Sequence, residues 1–555
     1  MKKIIALVLC LVSVLSLLAG CNFGTGETRP QYGNDGREII TIGIARSALV
    51  EDYDTNAFTL WLEETTGYDI QFEFFSGVDA NSQLATRITA GILLPDILFG
   101  FGLGDGVRSV FKDYGDSGFL IDLKPYFDDK EKSKVFWDRL AVAFPNEEEQ
   151  AFYINKITDQ EHGAMYVFPF IEKTEVDEMN YQVYINKVWL DKLNLEMPTD
   201  NESLVKVLKA FRDNDCNGNG NANDEYPLVA LNNGSIGANG VEWLLSLFEA
   251  CRSTTVFNWG EDGNLYFPYA SDAAREAYQF INDLITEGLL DKSCWSMNNT
   301  GLVKLLNPAD GVNTVGVFVG HPSVVFQQGQ MSNLEYEALP LWSYAVEAET
   351  KVNQQYFITA DCKNPDAAWE VLMAMCSDDG QRRMRYGEYG VDWIWAEEGQ
   401  KSYLGYDAGI VILQDIWGTI GNQNWRACGA GIAINNEGED AALDENIDEW
   451  SRHKREIMAD YYHSFDAAQK ANPHSNQHSI RRTKEEADLY TVERTNVDAY
   501  FKEMITNFCL GTAGADAGDN AQWAAYLKKL DDLGLQKYMA QNQEIASKLP
   551  DFVQE

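Results

Sequence analysis

The sequence predicts an α/β fold built on doubly wound sheets, and three observations carry that prediction. The 555 residues are 45% hydrophobic and 12% aromatic, enough for two to four packed units with large cores. From residue 37 onward, short apolar strands alternate with helical patterns, as in a sheet covered by helices on both faces. No repeat of fixed period and no low-complexity block interrupts that alternation.

The chain opens on a leader. Lys2 and Lys3 precede an apolar run from Ile4 to Leu17, too short to span a bilayer comfortably but suited to a signal peptide. The run ends in Leu18-Ala19-Gly20-Cys21, which resembles a bacterial lipobox. The expectation is cleavage after residue 20 and acylation of the Cys21 thiol, where two or more acyl chains give stable anchoring. An ordinary secretory signal with an incidental cysteine is the competing reading. Residues 21–36 are polar and glycine-rich and read as a flexible tether reaching about 20 Å.

The body then reads element by element. Ile39 to Ala45 is a buried strand, Asn56 to Thr66 a helix, Asp69 to Phe75 a strand, Asn81 to Gly91 a helix and Ile97 to Phe101 a strand. This is βαβαβ, whose ligand crevice lies beyond the strand carboxyl ends. Strands follow at Ala164 to Pro169 and Tyr181 to Asn186, then helices at Val188 to Leu193 and Glu202 to Arg212. Asn364-Pro365 supplies an N-cap and an N1 proline for a helix running toward Arg385. Ala521 to Leu533 and Gln536 to Ser547 close the chain as helices.

Charge excludes several functions. With 85 Asp and Glu against 44 Lys and Arg the net charge is −41, and loss of Lys2 and Lys3 with the leader makes it −43. Such a body repels nucleic acid and anionic bilayers. Beyond Cys10 and Cys21, seven irregularly spaced cysteines offer no CxxC pair for zinc or redox chemistry. Among the six histidines only His474 and His478 stand four apart, beside Pro473. There is no HExxH, no G-x-S-x-G and no phosphate-binding G-x-x-x-x-G-K-[ST].

One loop carries specific chemistry. Within 213–227, oxygen side chains fall at Asp215, Asn217, Asn219, Asn221, Asn223, Asp224 and Glu225, with Gly220 in the sixth position. That spacing follows the logic of an EF-hand loop, which wraps a hard cation in oxygens. Strand-like Pro227 to Ala230 follows, so a second EF helix is absent from the pattern. The expectation is a structural Ca2+ site; an Asn-Gly turn ending the preceding helix is the alternative. The last two ligands are either Asn223 with Asp224 or Asp224 with Glu225.

Several segments in order give a resemblance. They are Ile185-Asn186-Lys187, Trp189-Leu190, Pro198 and Phe211 with the loop above; Leu94-Pro95-Asp96; Asn364 to Ala368; Tyr386-Gly387 through Gly390-Val391-Asp392; and Phe508 through Gln543. Together they resemble family 1 extracellular solute-binding proteins, in the large lipoprotein branch that includes alginate-binding proteins. The resemblance implies a two-lobe, type II periplasmic-binding-protein-like fold. It also implies a non-enzymatic, monomeric capture component of a carbohydrate importer, working with ABC-transporter permease subunits at the outer face of the cell membrane. By analogy, lobe one takes 37–170 and 336–400, and lobe two takes 171–335 and 401–555, with crossings near 168–180 and 335–342. Here Tyr389 stands where relatives often carry Glu, which weakens transfer of an acidic sugar contact.

Sugar recognition needs flat rings against the apolar face and polar groups for the hydroxyl rim. The densest cluster is Glu388, Tyr389, Asp392, Trp393 and Trp395. Trp243, Trp342, Trp417, Trp425 and Asp96 are further candidates, with core packing the competing role for Trp243. Trp61, Trp369 and Trp523 fall on apolar helix faces and are expected in the core. The overall acidity favours a neutral oligosaccharide. A binding protein for another solute, a sensor, or a surface glycoside hydrolase with a carboxylate pair are the alternatives.

Overall fold

The computed structural model describes residues 29–76, 79–101, 105–159, 161–173, 182–231, 239–251, 256–260, 262–345, 350–416, 419–426, 429–434, 441–471 and 484–547. Cys21, Trp417, His474 and His478 lie outside these residues. The strands run in chain order as β1 (Ile39–Ala45), β2 (Asp69–Phe75), β3 (Ile97–Phe99), β4 (Phe168–Lys173), β5 (Val183–Asn186), β6 (Tyr226–Ala230), β7 (Asn258–Trp259), β8 (Leu265–Tyr266), β9 (Val315–Val319), β10 (Tyr336–Ala338), β11 (Lys351–Ile358), β12 (Trp393–Trp395), β13 (Ile410–Ile412), β14 (Gly431–Ile434) and β15 (Ala441–Leu443).

The first lobe grows from the opening βαβαβ. The β-branched run of β1 pairs in parallel with β2 on one side and β3 on the other. Helix Ala57–Thr66 makes the crossover: Asn56 caps it by accepting the Phe58 N–H, and Gly67 ends it at φ +79°, where a side chain would be strained. The complete sheet has the order β14-β4-β11-β3-β1-β2. Its core joins Ile42, Leu62, Leu98, Phe168 and Trp369, each contributing about 1.5–3 kcal/mol by leaving water.

The second lobe is built on the sheet β10-β5-β9-β6. Helix Asn201–Asp213 begins with a reciprocal Asp200/Ser203 cap and buries Leu204, Val207, Leu208 and Phe211 beneath β6. Helices Glu449–Ala471 and Lys484–Leu510, unread in the sequence, add Tyr461, Phe465, Phe501 and Phe508 to this core. A third sheet, β12-β13-β15, encloses a small cluster of Tyr386, Trp393, Ile410 and Ile412.

Several expectations are corrected. The strand expected at Ala164 to Pro169 forms at Phe168–Lys173, because Ala164 and Met165 spend their backbone groups on Asp159, Asp122 and Leu123. The helix toward Arg385 is two helices, Pro365–Cys376 and Asp378–Tyr386: Ser377 caps the second one, accepting the Gly380 N–H. Ser377 and the two acids after it form an N-cap signal of their own, which starts the second helix. Strand β10 (Tyr336–Ala338) pairs with β5, so the second crossing follows residue 338 rather than starting at 335. Strand β14 pairs with β4, so the 401–555 segment is not confined to the second lobe. The chain is also held to the body before residue 37, since Arg29 donates to the Leu93 and Leu94 carbonyls and pairs with Glu73.

Trp369 and Trp523 are buried, and Trp61 is half-buried under Arg383. Six described cysteines, Cys216, Cys251, Cys294, Cys362, Cys376 and Cys509, are buried thiols. Among the described residues no helix is long and apolar enough to cross a membrane.

Candidate functional site

Strand directions locate the site. Parallel β1, β2 and β3, with β4 and β14 in the same sense, end along one edge of the first sheet, where antiparallel β11 begins. In the second sheet β6, β9 and β10 end along one edge, where antiparallel β5 begins. The chain passes from the end of β4 to the start of β5 through 174–182, and from the end of β10 to the start of β11 through 339–350. Both connections therefore join a carboxyl-end edge of one sheet to that of the other, and in open α/β sheets the ligand crevice lies beyond such edges.

On the first lobe the cleft edge is the loop after β1, over which residues 419–426 are laid. Gly421 N–H donates to Leu49 O (3.0 Å), Glu51 N–H to Gly421 O (3.2 Å) and Ala57 N–H to Asn422 O (2.9 Å). Buried Asn56 donates to Asn424 O (3.0 Å), and Asn424 donates to Met384 O (2.8 Å). The end of helix Asp378–Tyr386 and its following turn are thereby fixed at the same edge.

That turn contains the cluster read from the sequence, and its members divide by exposure. Trp393 is fully buried and donates from Nε1 to Gly387 O (3.0 Å); it supports the third sheet and is not displayed. Asp392 is also buried, its carboxylate accepting the Glu388 N–H (2.7 Å) and Gln414 Nε2 (2.6 Å). Burial raises its affinity for a proton above the ordinary aspartate range despite these bonds. Tyr389 (43% exposed) and Trp395 (45% exposed) present their rings, and Glu388 is exposed. The Arg382 guanidinium lies 5.2 Å from the Trp395 ring centre.

The other candidates separate as well. Trp425 is a core residue: it meets Phe58 and Phe72 edge-on and donates from Nε1 to Thr59 Oγ1 (2.8 Å). Trp243 is buried in the second core, 6.4 Å from the Trp342 ring. Asp96 lies at the amino end of β3, opposite the cleft, accepting the Thr41 N–H (2.7 Å) and hydroxyl (2.6 Å). Trp342 is half-buried at the start of the second connection and donates to Asn201 Oδ1 (3.0 Å). It is thus placed at the cleft edge of the second lobe.

Two features had no signal in the sequence. Asp415 is buried between Lys454 Nζ (2.6 Å) and Arg455 Nη2 (3.2 Å), tying the strand-β13 segment to helix Glu449–Ala471. Arg426 takes φ +52° and half-buries its guanidinium near Asp392 and Asp415. Neither a left-handed arginine nor a buried two-cation pair follows from residue types or spacing.

The 213–227 loop lies at the opposite end of the second lobe, before β6. Asp215 Oδ1 accepts the Gly218 N–H (2.7 Å) and its Oδ2 the Gly220 N–H (2.9 Å). Asn217, Asn219 and Asn221 each accept a backbone N–H two residues on. Glu225 Oε1 accepts the Cys216 N–H (2.8 Å). Buried Asp224 Oδ1 and Glu225 Oε2 have no hydrogen-bond partner, whereas Asn223 is exposed. Two unpartnered buried carboxylate oxygens beside Asp215 fit a bound cation. Among the described residues no group of three or more His, Cys, Asp or Glu side chains is arranged to hold a metal, and four of this loop's seven candidate oxygen side chains are asparagines.

The model of the bacterial extracellular solute-binding protein family matches residues 45–382. The chain belongs to this family. This solute-binding protein is 28% identical over 307 residues to the fructooligosaccharide ABC transporter substrate-binding protein FusA of Streptococcus pneumoniae serotype 4. That match covers 51% of this chain and 52% of FusA, so it spans about half the curated relative's length. The structure of S. pneumoniae FusA in complex with kestose aligns with a TM-score of 0.68 at 20% identity, covering 92% of this chain and 99% of that one. FusA has also been solved as an EF-hand mutant, with TM-score 0.68, 20% identity and the same coverage, 92% and 99%. An HMO-binding solute-binding protein from Bifidobacterium longum infantis aligns at TM-score 0.66 and 18% identity, covering 92% and 99%. These likenesses show a two-lobe α/β fold, and the family is one of binding proteins rather than enzymes.

Proposed function

We propose that this solute-binding protein captures a neutral oligosaccharide between its lobes and delivers it to the permease of an ABC importer. The observation that carries the reading is the cleft itself: two sheet edges facing across short connections, with displayed rings of Tyr389 and Trp395 on one side and Trp342 on the other. Such rings cover the apolar face of a pyranose or furanose, while Glu388 and neighbouring amides accept and donate at its hydroxyl rim. Closure of the lobes about the connections would bury the sugar and create the form a permease recognises. The carbohydrate ligands of FusA and of the HMO-binding protein support the ligand class.

In this reading lobe one comprises the first sheet with its helices, and lobe two the second sheet with the C-terminal helices. The third sheet joins them. Cys21 carries the lipid anchor and holds the body at the extracytoplasmic face. The 213–227 loop holds Ca2+ through Asp215, Asn217, Asn219, Asn221, Asp224 and Glu225. Its position away from the cleft gives it a structural role, and the EF-hand mutant of FusA supports this assignment. The test is titration of the mature protein with a panel of neutral oligosaccharides, following heat and product together. Saturable binding without product is expected; turnover would overturn the reading.

A further inference from the structure

At Arg426 the backbone and the side chain are at odds with a purely structural role. Its φ of +52° lies in the left-handed region, which glycine and asparagine occupy far more readily than arginine. Strain of this kind persists where the surrounding structure enforces it, and it concentrates at ligand clamps. Here it is enforced by the two residues that precede it, because Trp425 is anchored to Thr59 and Asn424 to the end of helix Asp378–Tyr386.

The side chain is held in place but not neutralised. Nη1 donates to Asn424 Oδ1 (3.0 Å), and Nη2 to Gln423 Oε1 (2.9 Å) and, at 3.5 Å, to Thr419 Oγ1. All three acceptors are uncharged. Nε is sealed from solvent without a hydrogen-bond partner. Asp392 is occupied by the Glu388 N–H and Gln414, and Asp415 by Lys454 and Arg455. Among the described residues no ion pair reaches Arg426. Nη2 spends both its N–H groups on Gln423 and Thr419 and Nε is sealed, so the half-buried guanidinium retains one unused Nη1 N–H at the first-lobe edge.

We propose that Arg426 is a specificity-determining ligand contact whose unused Nη1 N–H donates to one hydroxyl oxygen of the sugar. This rests on the carbohydrate-binding reading above. That hydroxyl accepts from Arg426 and retains its proton to donate to a carboxylate of the site such as Glu388. The neighbouring Asp392 and Asp415 and the net charge of −41 oppose an acidic sugar at this position. The buried Asn424 behind the guanidinium acts as a positioning residue.

The experiment uses the full mature chain and the tightest-binding neutral oligosaccharide from the panel, with its deoxy analogues lacking single ring hydroxyls. Arg426→Gly removes the guanidinium and also releases the backbone from its strained φ. Its affinity is expected to fall at least about tenfold while Tm stays within about 2 °C of the wild type. Discrimination of about tenfold against one deoxy analogue, present in the wild type, should disappear in Arg426→Gly and survive in part in Arg426→Lys. Unchanged affinity and unchanged deoxy discrimination would overturn the proposal, as would a wild-type preference for uronate oligosaccharides. A fall in Tm of many degrees with discrimination intact would likewise overturn it, leaving Arg426 a structural residue. A wild type that binds no sugar would overturn the carbohydrate reading itself, a failure separable from that of Arg426.

Discussion

Lys454 Nζ approaches Asp415 Oδ2 to 2.6 Å, with both side chains 1% exposed. Arg455 shares the same carboxylate, so one anion holds two buried cations. Burial pulls Lys454 below the ordinary lysine range, against the attraction of Asp415. Removing the carboxylate leaves those cations unpaired, and breaking a buried pair costs about 3–5 kcal/mol. Asp415→Asn is therefore expected to lower urea-unfolding stability by that amount. A loss below about 1 kcal/mol would show that the cations find other partners.

Much of the fold was legible and much of the site was not, for different physical reasons. β1, β2 and helix Ala57–Thr66 follow from period and caps, because Ile39 to Ala45 and Asn56 carry local signals. Ser377, followed by Asp378 and Asp379, carries a local cap signal for the second helix that a single-helix reading passes over. Strand β14 joining the first sheet is a tertiary choice that no local pattern encodes. Tryptophans illustrate the same limit at the site. Trp393, Trp395 and Trp425 sit in similar polar, glycine-rich contexts, yet the first and last are core and the second is displayed.

The division among tryptophans is testable by substitution. Trp425→Ala should destabilise the protein by about 3–5 kcal/mol, as large core truncations do. Trp395→Ala should change stability by no more than about 0.5 kcal/mol and weaken sugar binding about tenfold. Thermal melts and binding titrations on the two variants separate these roles; equal losses of stability would contradict the assignment.

The calcium proposed at the 213–227 loop would have a pH signature. Burial raises the Glu225 carboxyl above its ordinary range in the metal-free loop. An acid raised on folding costs stability while ionised, so the metal-free loop gains stability as pH falls through that raised value. Bound Ca2+ requires the ionised carboxylate and is released over the same interval. The loss of Tm on adding a chelator should thus be large at neutral pH and vanish through the carboxylate range. Asp215→Ala should abolish it at every pH, and a chelator without effect at neutral pH would leave the loop an Asn-Gly turn.

Arg29 shortens the tether. Because it is bound to Leu93, Leu94 and Glu73, the ordered body begins before residue 37. Limited proteolysis of the mature protein should spare 29–36, read by intact mass. Arg29→Ala should open that segment to cleavage; cleavage within 29–36 in the wild type would contradict the contact.

The cleft is the centre of the account, and one measurement addresses it most directly. Isothermal titration of the mature chain with neutral oligosaccharides, sampled for released product, should give saturable one-site heat and no product. Product release, or no binding by any member of the panel, would contradict it.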